Sequence, residues 1–113
     1  MAHIQNTELS QIMNRAWSMH RTTSVSMKKA LKDAWELWRL QRAMRLGRIE
    51  LVYRKKDGSI RRALATLVQN SGMQTVASSH HNTSPKVFTY FDIEVNDWRC
   101  FKCENLMSWQ IAQ

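Results

Sequence analysis

The chain has 113 residues, with 17 Lys and Arg against nine Asp and Glu, and only two cysteines. That length makes one domain, small enough that every large apolar side chain counts toward the core. Its apolar runs are only a few residues long and it does not open with a basic segment leading into an apolar stretch, so neither a transmembrane helix nor a signal peptide is expected.

The charge is distributed unevenly. Fourteen basic side chains fall in residues 1–62 against five acids, hence +9, whereas residues 63–113 carry three against four, hence −1. With a pI near 10.1, this favours an anionic partner for the first half: nucleic acid, DNA or RNA without sequence preference, or an acidic surface of a host protein. The plain alternative is a solvated basic face that keeps a small protein soluble. A cytoplasmic setting follows, with no membrane partner and with Cys100 and Cys103 as reduced thiols.

Leu9, Ile12, Met13, Ala16 and Trp17 recur at helical spacing and predict an amphipathic helix over residues 8–20, capped by Asn6 or Thr7. Residues 21–24 break it. Ser24 then caps a second helix over residues 25–46, with Met27, Ala30, Leu31, Ala34, Leu37, Trp38 and Gln41 on its core side and Gly47 as its stop. Residues 1–46 thus read as an N-terminal helical region. On the second helix Lys28, Lys32 and Arg39 share a narrow side with Trp35 beside them. Such a stripe suits a phosphate backbone, with Trp35 as a stacking surface; equally, Trp35 borders the core and Lys32 pairs with Glu36 one turn on.

Residues 47–113 read as a β-barrel. Ile49, Leu51 and Tyr53 alternate with Glu50, Val52 and Arg54, Asp57-Gly58 marks a tight hairpin turn, and a return strand runs over residues 59–68 with Ile60, Leu64, Thr66 and Val68 on one face. Arg54, Lys55 and Lys56 approach this turn and Arg61 and Arg62 leave it, five cations that repel one another unless splayed or met by an anion. Residues 69–85 read as a long mobile loop. The runs 86–92 and 97–102 flank a turn at Glu94-Val95-Asn96-Asp97 and form a second hairpin. A short helical turn at residues 103–106 then precedes a closing strand whose Met107, Trp109 and Ile111 face one way. Ile49, Leu51, Ile60, Leu64, Phe91, Trp98 and Leu106 are the core candidates.

Catalytic chemistry finds little support. Cys100-Phe101-Lys102-Cys103 is formally C-x-x-C, but thiols three apart on a strand point to opposite faces, and a zinc site needs four donors converging at about 2.0–2.3 Å; His80 and His81 are the other donors it would need. Phosphate-binding glycine loops, nucleophile elbows and H-E-x-x-H are absent from the sequence. The expectation is a non-enzymatic chain without metal or cofactor.

The stretches VYRKKDGSIRRALATL and TYFDIEVNDWRCFKCENL resemble the small WYL-like, Sm-like SH3 β-barrel proteins of phages and mobile elements, over roughly residues 47–111. SVSMKKALKDAW resembles a short helix that often precedes such barrels. The resemblance implies an α+β fold, an N-terminal pair of helices packed on a five-stranded antiparallel barrel with a helical turn before its last strand. The Trp-Tyr-Leu tripeptide of the larger ligand-sensing relatives is absent, and no activity carries over.

Overall fold

The computed structural model describes residues 6–68 and 84–112. Two helices, α1 (Asn6–Thr23) and α2 (Met27–Leu46), precede five strands, β1 (Arg48–Arg54), β2 (Ile60–Thr66), β3 (Val87–Asp92), β4 (Asp97–Lys102) and β5 (Leu106–Ile111), with a 3-10 turn at Cys103–Asn105 before β5. All pairings are antiparallel and the strand order is β4-β3-β2-β1-β5, so two sequential hairpins are joined through β2 and β3 while β5 returns to β1. One apolar cluster runs through both helices and the sheet. The expected loop at residues 69–85 lies outside the described residues except for Ser84 and Pro85, as do His80 and His81.

α1 runs past its expected end because the Thr22 and Thr23 hydroxyls donate to the carbonyls of Ser18 and Met19, at 2.8 and 2.6 Å, and so satisfy themselves within the helix. The chain reverses at Ser24, which takes a left-handed φ of 61°. An N-cap needs extended backbone, so Ser24 does not cap α2. Ser26 does (φ −62°, ψ 153°), its Oγ accepting from the Lys29 N–H at 3.2 Å.

The helix faces are rotated from those expected. On α1, Leu9 and Trp17 are exposed, while Ile12, Ala16 and Met19 are buried, because α1 packs on both α2 and the 3-10 turn. On α2 the buried set is Ala30, Ala34, Leu37, Leu40 and Met44, and Gln41 is only half-buried. A helix covered by a second helix and by the sheet needs a wider apolar arc than one stripe supplies. Its last turn leaves orphan carbonyls. The Leu67 N–H donates to Met44 O at 3.0 Å and the Thr66 hydroxyl reaches the Met44 and Gly47 carbonyls, which ties α2 to the end of β2.

β1 buries Ile49, Leu51 and Tyr53 as its alternation predicts. β2 turns the other face inward: Ala63 and Ala65 are buried, Ile60 is 51% exposed and Leu64 is half-buried. Register explains the difference. Leu51 pairs with Ala63 and Ile49 with Ala65, so these residues share a face, and small side chains on β2 leave room for the rings opposite. Phe101 fills that room, stacked on Tyr53 at 4.6 Å and on Phe88 at 5.4 Å, with Tyr90 tilted at 6.1 Å. Phe91 is buried on the opposite face, edge-on to a half-buried Trp98 at 5.5 Å, and Leu106 is half-buried. Of the expected core, then, Ile49, Leu51 and Phe91 are interior, while Leu64, Trp98 and Leu106 border it and Ile60 lies at the surface.

In the last strand Trp109 and Ile111 share a face as expected, opposite Leu51 and Ile49, and only Met107 departs from it. Val52 pairs with Ser108 and Tyr53 with Leu106, so Met107 is an extra residue in the ladder. Met107 and Ile111 are exposed, and Trp109 is half-buried with its indole N–H donating to Glu36 Oε2 at 2.8 Å.

Candidate functional site

The β1–β2 hairpin closes through a tight three-residue turn that contains Asp57-Gly58, as expected. The Lys55 N–H donates to Ser59 O at 2.7 Å and the Gly58 N–H to Lys55 O at 3.0 Å, with Gly58 at a φ of 91°, where a side chain is strained. Asp57 holds the turn by accepting from the Ser59 N–H and hydroxyl, at 2.9 and 2.6 Å, and these bonds lower its carboxyl pKa. Arg54, Lys55 and Lys56 are exposed on this turn. Arg62 leaves on the other face, paired with Glu50 at 2.9 Å and still largely in water.

Across from the turn, β4 supplies Arg99 and Lys102, and the two hairpins enclose an open groove of about 680 Å³. Six cations line it: Arg54, Lys55, Lys56, Arg61, Arg99 and Lys102. Among the described residues Asp57 is the one acid in its wall, and Tyr53 and Phe101 also line it. Sequence reasoning missed Arg99 and Lys102 because they sit in the half of the chain whose net charge is −1; only the sheet order carries them to the other cations.

Arg61 differs from its neighbours. Its guanidinium is ion-paired with Asp92, which is fully buried, and lies beside the Tyr90 hydroxyl. Asp92 in turn accepts from the backbone N–H groups of Glu94 and Val95 through Oδ1, at 3.0 and 3.3 Å, and the Tyr90 and Tyr53 hydroxyls are 2.8 Å apart. The bond to Asp92, followed by that to Tyr90, raises the Arg61 pKa; burial, followed by the bond to Tyr53, raises that of the Tyr90 phenol. Asp92→Ala leaves the part-buried Arg61 guanidinium without its counter-charge and the Glu94 and Val95 N–H groups without their acceptor. It should lower unfolding stability by about 3–5 kcal/mol in a urea titration.

The α2 stripe stands apart. Lys28, Lys32 and Arg39 are exposed, but neither they nor Trp35 lines the groove. Glu36 pairs with Arg39 at 2.9 Å and accepts from Trp109, not from Lys32. Trp35 is half-buried against the core and makes a T-shaped pair with Trp38 at 5.7 Å, so it takes part in packing.

Cys100 is exposed and Cys103 buried, and among the described residues no cluster of three or more His, Cys, Asp or Glu is placed to hold a metal ion. The Cys103 thiol donates to the Pro85 carbonyl at 3.4 Å, and burial pushes its pKa up to about 11. A thiol reagent at mildly alkaline pH should therefore titrate Cys100 in the native protein and reach Cys103 only after denaturation. Because the neutral thiol is favoured in the fold, its contribution to stability is complete below the unfolded pKa of about 9 and is lost as pH rises toward 11.

No helix among the described residues is long and apolar enough to cross a membrane. Comparison with curated proteins and with solved structures found no match to the chain. The family described as WYL_2, Sm-like SH3 beta-barrel fold, matches residues 37–107, more than half of the chain, from the second half of α2 to the start of β5. With two helices ahead of a five-stranded antiparallel sheet in the order β4-β3-β2-β1-β5, this chain belongs to the WYL_2 family of Sm-like SH3 β-barrels.

Proposed function

We propose that the chain is a non-enzymatic nucleic-acid-binding module, working without metal or cofactor, whose groove between the β1–β2 turn and β4 takes the phosphates of DNA or RNA. One observation carries this reading: among the described residues, six cations and a single acid line the groove. Like charges so gathered repel one another, and a polyanion relieves that repulsion while releasing its own counterions. The α2 stripe is a second basic surface that a long ligand would meet without specific contacts. The reading includes a host-cell cytoplasmic setting and the phage or mobile-element context that the resemblance implies.

Fluorescence anisotropy with random-sequence DNA and RNA tests it. Six phosphate contacts should lower log affinity by about 4–5 for each tenfold rise in salt, with similar affinity for unrelated sequences. Failure to bind either nucleic acid at ~10 µM protein and low salt overturns the reading. An acidic host-protein surface would then be the better ligand for the same cations.

A further inference from the structure

We infer that the groove holds a nucleic acid by its phosphate backbone alone, without base stacking, and that Arg61 is its one fixed phosphate contact; this rests on the proposed nucleic-acid reading.

Non-specific binding of single strands ordinarily combines a basic groove with aromatic faces on which bases stack. Here the two rings that touch the groove, Tyr53 and Phe101, are each 4% exposed and lie nearly parallel on one another, interplanar angle 17°. Their faces are consumed by the core, so neither ring offers a base an aromatic face to lie on. What remains accessible is charge. Five of the six groove cations sit on exposed side chains, of which Arg54 is tied only by an exposed bond to the Gly58 carbonyl at 3.0 Å. Arg61 is the exception, immobilised from beneath by Asp92 and Tyr90 while its side chain is still 26% exposed. Its Nε–H is buried and has no hydrogen-bond partner among the described residues. A guanidinium is always charged, and one held in place loses little entropy when its exposed edge meets a phosphate oxygen. The geometry thus separates a fixed anchor from the exposed charge around it.

The test compares a single strand of about 20 nucleotides with an abasic strand of equal length, at about 50 mM salt. Backbone recognition predicts affinities within about threefold of each other. A stacked base is worth roughly 5–150-fold, so a loss of ~10-fold or more on removing the bases overturns the inference and leaves nucleic-acid binding intact. If neither strand binds, the broader reading falls instead. For Arg61, the wild-type protein supplies a probe through its guanidinium Nη–H resonances, which should shift on addition of the abasic strand; unmoved resonances with the strand bound overturn the anchor. Arg61→Lys, which keeps the charge and removes the guanidinium, should weaken both strands alike by about tenfold with the salt slope unchanged, and wild-type affinity in that variant counts against the anchor equally.

Discussion

Replacing Arg54, Lys55, Arg99 and Lys102 together by glutamine should weaken nucleic-acid binding by at least ~100-fold at low salt and reduce the salt slope by about three. All four side chains are exposed and line one groove, and none contributes to the apolar cluster, so the variant should fold and melt like the parent. Arg54 makes a bond to the Gly58 carbonyl at 3.0 Å, an exposed contact of the kind that contributes little. Binding should fall across all sequences alike, since phosphate contacts carry no base information. The matched control is Lys28→Gln with Lys32→Gln on α2, two equally exposed cations outside the groove. They should change affinity by only about threefold, through general charge. If the α2 pair cost more than the groove set, the interface would lie on the helix.

Phe101→Ala should be the most damaging single substitution in the barrel, costing about 3–5 kcal/mol of unfolding free energy. Phe101 is 4% exposed, and it touches rings from β1 and β3 at 4.6–6.1 Å, so its removal opens a void among Tyr53, Phe88 and Tyr90 that three rings on two other strands cannot refill together. That loss is a large part of the roughly 5–15 kcal/mol that holds a typical domain together. Trp98→Ala, which truncates a larger but half-buried ring, should cost less. A urea series comparing the two midpoints decides the order, and a greater loss at Trp98 would mean that the face carrying Phe91 and Trp98 is the principal core.

The elements most legible in the sequence are those whose pattern is local. Ile49, Leu51 and Tyr53 alternate cleanly with polar neighbours, and the two runs around Glu94-Val95-Asn96-Asp97 have strand character on both sides of a turn, so β1, β3 and β4 follow from period alone. β2 is different. Ile60, Arg61, Arg62, Ala63, Leu64 and Ala65 carry apolar residues on both parities, and hydrophobicity favours the face with isoleucine and leucine. The register against β1 selects the alanines instead, because volume and not hydropathy decides what fits beneath three rings. The capping serine was misplaced for a similar reason: Ser24 and Ser26 are equivalent as side chains and differ only in the backbone each adopts. At the candidate site, the turn cations were visible as a cluster, whereas the Arg61–Asp92 pair spans 31 positions and Arg99 and Lys102 lie far along the chain. Such juxtapositions belong to topology and leave no trace in a short window.

The most direct measurement is an amide chemical-shift map of the protein titrated with a single strand of about 20 nucleotides at low salt. The groove account predicts perturbations confined to residues 54–58, 61 and 99–102, with those of 28–39 on α2 small. Perturbations concentrated on Lys28, Lys32 and Arg39 with the groove silent, or none anywhere at saturating strand, would contradict it.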